Sequence, residues 1–387
     1  MPANKKRFYL PTEVSFGKGS SEKLLDVVTR NDSIFLVTDP GVEKAGVTGP
    51  ILELLARAGA EVTVFGRVEP NPSAKLVMEA LTELKNASAT MVIAVGGGSS
   101  LDLGKVTAAL ATNEGLLEDY QWNGRAFAEE ALPFIAIPTT AGTGSEVTRV
   151  AVIVDRNVKK GINSDKLFPK LAIVDPELMT GLPPGLTAST GMDALSHAVE
   201  AYVGLNSSPF TDALALEAVR LIGRSLGKAC ACGTDVCARE DMAMASTLAG
   251  VAMDQAGLGI VHSMAGPFCG IFHLPHGEAN AVLLKYGMSF NLKAAPGRFA
   301  SLAAALGCDI SGLSPEEAGA AAVEAVSGLV AETGLKVDLA AYGLKESDAD
   351  IVAEQTEKMF LLRNNPRRPS REDCRQLYMD VLKGECA

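Results

Sequence analysis

The sequence predicts two domains, an α/β domain with a mostly parallel sheet followed by an all-helical domain. In the first half of the chain, short apolar segments alternate with amphipathic ones, which is the pattern of strands alternating with helices. Residues 191–387 instead show long segments of helical periodicity and no strand pattern. With 387 residues, the chain exceeds the size that one hydrophobic core usually serves. Because Pro183 and Pro184 mark the change, we expect domains at residues 1–181 and 182–387.

The elements of the first domain follow from short apolar runs and from helical spacing. Strands are predicted at residues 34–38, 61–65, 91–95, 134–138, 151–154 and 171–174. Residues 50–58 and 74–84 show the spacing of amphipathic helices. Because parallel strands need crossover connections, this alternation indicates a parallel sheet with helices on both faces.

The second domain consists of predicted helices. Its periodic segments include TDALALEAVRLIGRSL, REDMAMASTLAGVAM and PEEAGAAAVEAVSGLVAETG. Ser314 stands three residues before Glu317, the spacing of a capping box at a helix start, and Ser370 with Asp373 is a looser version.

Composition argues against several partners. The net charge is −11 and the isoelectric point is near 5.0, so the chain lacks the basic surface that nucleic acid or an anionic membrane requires. We find no apolar run long enough to span a bilayer and no secretory signal. The odd number of cysteines favours free thiols, and Cys230, Cys232 and Cys237 match no zinc motif, so we interpret them as helix-end residues. We therefore expect a cytoplasmic protein.

The four histidines of the chain all fall between residues 197 and 276. Asp193 and His197 are four residues apart and share one face of a helix. His262 follows in GIVHSMAG, and His273 and His276 occur in FHLPHG. A lone histidine is more often structural, but imidazoles with a carboxylate suit a divalent transition metal such as Fe, Zn or Mn. The set therefore predicts a metal site.

Two small-residue loops follow predicted strands. In GGGSS, the glycines at residues 96–98 allow a close approach, and Ser99 or Ser100 is expected to cap the next helix, whose N–H groups suit a pyrophosphate. The spacing is neither GxGxxG nor a P-loop, so a purely structural turn is the alternative. The loop at residues 138–148 adds hydroxyls at another strand end, beside the first in such a sheet.

Asp39 ends the first predicted strand. Its carboxylate could accept hydrogen bonds from a ribose 2′-hydroxyl and would repel a 2′-phosphate, which favours NAD over NADP. An ordinary turn residue, followed by Pro40 and Gly41, is the equal alternative.

Five motifs resemble those of the iron-containing (group III) alcohol dehydrogenases. They are GGGSSLDLGK, PTTAGTGSEVT, TGMDALSHAVEAY, AGLGIVHSMA and PHGEANAVLL, in order over nearly the whole chain. The resemblance implies a Rossmann-like dinucleotide-binding domain and an all-helical metal-binding domain, an architecture shared with dehydroquinate synthase. It further implies hydride transfer between NAD(H) and a short-chain alcohol or aldehyde, with Fe²⁺ (or Zn²⁺ or Mn²⁺) as the metal. We expect a homodimer or a higher homo-oligomer.

The resemblance assigns roles to individual residues. The implied metal ligands, which are also catalytic residues, are Asp193, His197, His262 and His276. The implied cofactor-binding residues are Asp39, Asn71, Gly97, Gly98, Ser99, Asp102, Thr139, Thr140, Thr143, Ser145 and Lys160. His273 is a catalytic candidate for proton transfer, and equally a structural turn residue.

Departures from the family pattern concern the substrate. Gly266 stands where the family often has a second histidine, four residues after His262, so that proton relay is absent. Met253 lies in a stretch where the family has an aromatic residue, and Val150 and Gly266 are expected to open space. Arg363 is either a solvated surface charge or a partner for an anionic group, so a carboxylated or sulfonated short aldehyde is an alternative substrate.

Two alternatives belong to other classes. An NAD- and metal-dependent lyase would share the architecture, but the TGMDALSHAVEAY motif argues against it. An inactive metal-binding homologue is suggested only by Gly266, and the four intact ligands argue against it.

Overall fold

The computed structural model describes residues 6–156 and 158–384, which form two compact units. One unit spans Leu10–Leu182, and the other begins at Pro183 and includes residues 6–9.

The sequence placed residues 6–9 in the first domain, but hydrogen bonds attach them to the second unit. The Tyr9 N–H donates to Gln255 Oε1 (3.0 Å), and the Tyr9 carbonyl accepts from Gln255 Nε2 (2.9 Å). This pairing depends on a side chain 246 residues away in sequence, so local sequence patterns do not show it.

Within the described residues, the first unit contains eight strands and six α-helices. The strands are β1 (Glu13–Phe16), β2 (Ser33–Val37), β3 (Glu61–Phe65), β4 (Met91–Gly96), β5 (Phe134–Pro138), β6 (Val150–Asp155), β7 (Val158–Asn163) and β8 (Leu171–Val174). The helices are α1 (Leu24–Val27), α2 (Pro40–Lys44), α3 (Thr48–Ala58), α4 (Ala74–Asn86), α5 (Gly98–Thr112) and α6 (Leu117–Gln121).

Six strands form one parallel sheet in the order β1-β8-β5-β4-β2-β3. The chain passes from β2 to its neighbour β3 and then returns to β4 on the other side of β2, so the order reverses between β2 and β4. Ligands bind beyond the carboxyl ends of strands at such a point. The strand predicted at residues 151–154 does not join this sheet, because β6 pairs in antiparallel fashion with β7, which follows it directly.

Apolar side chains cover both faces of the parallel sheet. Along β2, Phe35 and Val37 belong to one buried cluster, and Ile34 and Leu36 belong to a second cluster. Strands β4 and β5 contribute to both clusters in the same alternating way. Since both faces are buried, these strands read as continuous apolar runs, which is why the sequence revealed them.

Among its described residues, the second unit is helical throughout. Its α-helices are α7 (Pro184–Val203), α8 (Pro209–Ala231), α9 (Val236–Ala256), α10 (Ile260–Phe272), α11 (His276–Leu292), α12 (Pro296–Ala305), α13 (Pro315–Thr333), α14 (Ala349–Glu357) and α15 (Arg371–Lys383). Helix α7 is buried along most of its length, and α8, α9 and α11 pack against it. The capping boxes predicted at Ser314 and Ser370 are present at the starts of α13 and α15.

None of the described helices is alone long and apolar enough to cross a membrane. Helices α9 and α10 reach that length and composition only as a pair, and they are bent by 102° at their junction. The cysteines at the ends of α8 and α9 form no disulfide, and neither do the others in the described residues; Cys386 lies outside those residues.

Candidate active site

Three of the predicted metal ligands lie together in the helical unit. Asp193 is on α7, His262 is in the first turn of α10, and His276 is the first residue of α11. Their ligand atoms lie within 4.8 Å of one another: Asp193 Oδ1 is 3.7 Å from His262 Nε2 and 3.6 Å from His276 Nε2. The side chains of Asp193 and His262 are buried, whereas that of His276 is 41% exposed, so the cluster opens on the His276 side.

His197, the fourth predicted ligand, lies beside this cluster. Its Nε2 is 3.8 Å from Asp193 Oδ1, and its ring stacks on the His262 ring with the centroids 4.7 Å apart. The i,i+4 spacing on α7 places Asp193 and His197 on one face of the helix, as the sequence predicted.

A close contact between α7 and α11 brings His276 towards Asp193. A Cβ at Gly277 would lie 2.5 Å from the Ser189 carbonyl oxygen, well inside van der Waals contact, so only glycine permits this approach. Ser189 lies one turn before Asp193, and Gly277 directly follows His276. The glycine of the Pro-His-Gly sequence therefore sets the distance between two helices that carry predicted metal ligands.

The charges of the cluster are coupled. Burial opposes ionisation of Asp193, but the imidazoles of His197, His276 and His262 outweigh burial and hold the pKa of Asp193 well below its usual range. Burial also opposes protonation of His262, but hydrogen bonds to Asp193 and Glu200 outweigh it and raise the pKa of His262 to about 9. The residues therefore favour a positive charge at this point, either a proton or a metal cation.

Asn280, one turn after His276 on α11, provides a test of whether a metal fits. Its Nδ2 lies 2.6 Å from Asp193 Oδ1 and 3.1 Å from Nε2 of both His262 and His276, yet an amide nitrogen has two hydrogens for these three acceptors. Asn280 Oδ1 is buried and has no hydrogen-bond partner among the described residues. Because three acceptors converge on one point, the residues fit a divalent cation.

Sequence reasoning missed three residues of this site. Asn280 follows His276 by four residues and Glu200 follows Asp193 by seven, so helical spacing alone could have placed both beside the ligands. Cys269 has its Sγ 3.7 Å from His276 Nδ1, a contact across the α10–α11 turn that no spacing rule indicates.

His273, the predicted proton-transfer residue, is the C-cap of α10. It has the left-handed φ of 58°, its N–H donates to the Phe268 carbonyl, and its side chain is exposed. It lies outside the cluster formed by Asp193, His262 and His276. The structure thus shows its role as a turn residue, while a role in proton transfer stays a prediction.

In the α/β unit, the glycine turn after β4 starts α5. Gly97 is the N-cap of α5, without a capping side chain. The predicted serine caps are wrong, because Ser99 Oγ accepts from the Asn71 N–H (3.2 Å) and Ser100 Oγ is directed to an aspartate instead. The N–H groups of the first turn therefore suit an anion such as a pyrophosphate.

The second small-residue loop packs directly on the start of α5. A Cβ at Gly98 would lie 2.8 Å from Thr143 Cγ2, so glycine is needed for this approach. A Cβ at Gly97 would lie 3.5 Å from Thr140 Cγ2, an ordinary contact distance. Thr139 is buried at the end of β5, and its N–H donates to the last carbonyl of β4 (3.0 Å). The predicted loops at two neighbouring strand ends are thus in contact.

Asp39 follows β2 and caps α2. Its Oδ1 accepts from the N–H groups of Gly41 (2.9 Å) and Val42 (3.0 Å), and its Oδ2 is 3.3 Å from Ser100 Oγ at the start of α5. The turn role that the sequence left open is therefore real, and the second oxygen is directed to the glycine turn. Contact with a ribose stays a prediction.

Asp102 and Ser145 connect α5 to the second loop and to β6. Ser145 Oγ donates to Asp102 Oδ1 (2.7 Å), and Asp102 Oδ2 accepts from the Val152 N–H (2.8 Å). Burial raises the pKa of Asp102, while Lys105 opposes that shift. Lys160, on β7, places its Nζ 3.9 Å from the ring centre of Trp122, the single tryptophan, in a cation–π contact.

The residues predicted to shape the substrate site lie on separate elements. Gly266 is on α10, and a Cβ there would lie 3.2 Å from Met359 Cε, so Met359 fills part of the space that glycine was expected to open. Met253 is half-buried near the end of α9, and Val150 begins β6. Arg363 is exposed in the 3-10 turn Phe360–Asn364.

Comparison with known proteins identifies the class to which this arrangement belongs. The family described as iron-containing alcohol dehydrogenase matches residues 11–176, and the C-terminal Fe-containing alcohol dehydrogenase family matches residues 187–382. The NAD-dependent methanol dehydrogenase of Bacillus methanolicus is 38% identical, over 97% of this chain and 99% of its own length.

Solved structures agree. A crystal structure of 1,3-propanediol oxidoreductase matches with a TM-score of 0.93 at 39% identity, covering 98% of this chain and 100% of that one. Sulfoacetaldehyde reductase from Bifidobacterium kashiwanohense, solved in complex with NAD⁺, matches with a TM-score of 0.89 at 31% identity, covering 97% of this chain and 98% of that one.

These matches identify the protein as an oxidoreductase of the iron-type alcohol dehydrogenase class. The chain belongs to the iron-containing alcohol dehydrogenase family. The predicted family, fold class and enzyme class are confirmed, and neither a lyase nor an inactive homologue is needed to explain the chain.

Proposed function

We propose that this protein interconverts short-chain alcohols and aldehydes with NAD(H), using Fe²⁺ held by Asp193, His197, His262 and His276. The observation that carries the proposal is the convergence of three acceptor atoms on Asn280 Nδ2, in a buried cluster that favours positive charge. Fe²⁺ commonly takes more than four ligands, so three imidazoles and one carboxylate would leave a coordination position for the substrate.

When bound, the metal supplies Lewis-acid polarisation of the substrate oxygen, and NAD(H) supplies or accepts the hydride. The residues of the chain bind and orient these groups. Asp193 stays ionised because the surrounding imidazoles keep its pKa low. With no side chain at Gly266, we assign proton exchange with solvent to the partly exposed side of the cluster at His276, where His273 lies three residues away.

The cofactor-binding residues of the proposal belong to the α/β unit. The uncapped start of α5 binds the pyrophosphate through its N–H groups, and Gly97 and Gly98 allow the approach. Asp39 accepts hydrogen bonds from the adenosine ribose through Oδ2, which favours NAD over NADP. Asn71, whose N–H is bonded to Ser99, lies beside the same turn.

The test compares the purified protein after chelation with the same protein reloaded with Fe²⁺, Zn²⁺ or Mn²⁺. NADH formation from 1-propanol and 1,3-propanediol is followed by absorbance. We expect activity only after reloading, and full activity in the chelated protein would contradict the metal proposal.

A second substrate class is favoured by one observation, the exposed cation of Arg363. A carboxylated or sulfonated short aldehyde would be its partner, and one structural relative is by name a sulfoacetaldehyde reductase. A panel of neutral and anionic aldehydes of equal length distinguishes the two classes by kcat/KM.

Assembly and location are part of the proposal. A homo-oligomer is expected, and light scattering of the purified protein tests it. Cytoplasmic location is supported by the free thiols of the described cysteines.

A further inference from the structure

Glu200 is a buried carboxylate directed at a metal ligand rather than at the metal position. It lies on α7 seven residues after Asp193 and three after His197, so the three side chains share one face of the helix. The side chain of Glu200 is 3% exposed, and its Oε2 lies 2.6 Å from Nδ1 of His262. A carboxylate this deeply buried needs strong compensation, which a charge-assisted hydrogen bond supplies.

The same carboxylate caps a helix to which it does not belong. Gly259 is the N-cap of α10 and has no side chain with which to cap it. Glu200 Oε1 accepts from the Val261 N–H (2.7 Å), and Oε2 accepts from the His262 N–H (3.3 Å). Asn365 Oδ1 accepts from the Ile260 N–H (3.1 Å), so the first three N–H groups of α10 are satisfied by side chains from elsewhere.

The two ring nitrogens of His262 thus have opposite surroundings. An ionised carboxylate only accepts hydrogen bonds, so Nδ1 must carry the proton that it donates to Glu200. On the other side of the ring, Nε2 lies 3.1 Å from the Asn280 amide nitrogen. In a neutral ring that donates from Nδ1, Nε2 is the nitrogen that keeps its lone pair. That lone pair is directed to the same point as Asp193 Oδ1 and His276 Nε2.

We propose that Glu200 is a positioning residue, which holds His262 in the Nδ1–H tautomer and fixes its ring so that Nε2 binds the metal. Because the carboxylate also anchors the first turn of α10, it fixes the ring and the backbone that carries it together. Carboxylates bonded to the outer nitrogen of a ligating histidine raise its basicity and orient it. The inference rests on the proposed metal site.

Glu200→Gln is the informative variant. Three N–H groups, those of Val261 N, His262 N and His262 Nδ1, converge on two carboxylate oxygens, and an amide must turn its NH₂ towards at least one of them. Asn365→Ala is the matched control, because it removes a cap from α10 without touching the imidazole.

The readouts are the Zn²⁺ dissociation constant, from competition with a chromogenic chelator, and the melting temperature of the metal-free protein. We expect Glu200→Gln to weaken Zn²⁺ binding by about 10- to 100-fold. We expect Asn365→Ala to lower the melting temperature with little change in Zn²⁺ affinity. If both variants weaken Zn²⁺ binding equally, or if Glu200→Gln binds Zn²⁺ as tightly as the wild type does, Glu200 is only a helix cap and the inference is wrong.

A measurement on the wild type does not depend on how a variant folds. With only four histidines in the chain, ¹⁵N-histidine labelling of the Zn²⁺-loaded protein resolves each ring. We expect His262 to be protonated at Nδ1, with a downfield, hydrogen-bonded proton. Protonation at Nε2 would overturn the inference, whereas a wild-type protein that binds no Zn²⁺ would instead contradict the proposed metal site.

Discussion

Gly277→Ala is the sharpest test of how the fold builds the proposed metal site. The added Cβ would lie 2.5 Å from the Ser189 carbonyl oxygen and 2.8 Å from its carbonyl carbon. Ordinary C···O contacts are about 3.3 Å or longer, so α11 must retreat by about 0.8 Å. His276 is the adjacent residue, and metal–ligand distances tolerate changes of only about 0.2 Å.

The expected cost follows from this displacement. Overpacking of this kind destabilises the folded protein by about 1–3 kcal/mol. If metal binding loses the same amount of free energy, the dissociation constant rises about 5- to 150-fold. Alanine also lowers the conformational entropy of the unfolded chain, which offsets only about 0.4–1 kcal/mol of the loss in folding stability.

Gly297→Ala is the matched control for Gly277→Ala. Gly297 is also the second residue of its helix, α12. Apart from its chain neighbours and the adjacent backbone of α12, no atom lies within 4 Å of a Cβ added at Gly297. We expect the control to keep the Zn²⁺ affinity of the wild type and to be slightly more stable. Chelator competition and thermal melting measure both terms. A Gly277→Ala protein with wild-type Zn²⁺ affinity would refute the argument that this glycine sets the ligand distance.

Four further outcomes are expected. His262→Ala should abolish NADH formation and Zn²⁺ binding while circular dichroism stays unchanged; retained activity would contradict the ligand assignment. Asp39→Asn keeps an oxygen to cap α2 but removes the charge, so it should narrow the preference for NAD over NADP by about 1–3 kcal/mol in kcat/KM; an unchanged ratio would place Asp39 away from the ribose. Arg363→Ala should raise KM about 10- to 100-fold for an anionic aldehyde only; equal effects on a neutral aldehyde would make it a surface charge. Burial raises the pKa of Cys374 to about 11 from a usual value near 9, so its neutral form stabilises the fold fully below pH 9, and this contribution is lost as pH rises towards 11. Between these pH values, Cys374→Ala should reduce the fall of the unfolding free energy by about 1.4 kcal/mol per pH unit. If the variant shows the same slope as the wild type, Cys374 is not the source of the pH dependence.

The sequence alone determined most strands of the parallel sheet and much of the candidate site's membership, but strands β1 and β7 were not predicted. Strands β2, β4 and β5 were predictable because both of their faces are buried, which makes them continuous apolar runs. Asp193 and His197 could be placed on one helix face from spacing alone. Local patterns carry such information because helix and strand periodicity is set by the backbone of neighbouring residues.

Only the tertiary structure decided which groups meet across different helices. The approach of His276 to Asp193 depends on the contact of Gly277 with a carbonyl on α7, and the space beside Gly266 is occupied by Met359, more than 90 residues away. Strand β6 is not part of the parallel sheet, because it pairs with β7, the next segment of the chain. These outcomes depend on packing between residues distant in sequence, which have no periodic signature, so the chain's local pattern cannot reveal them.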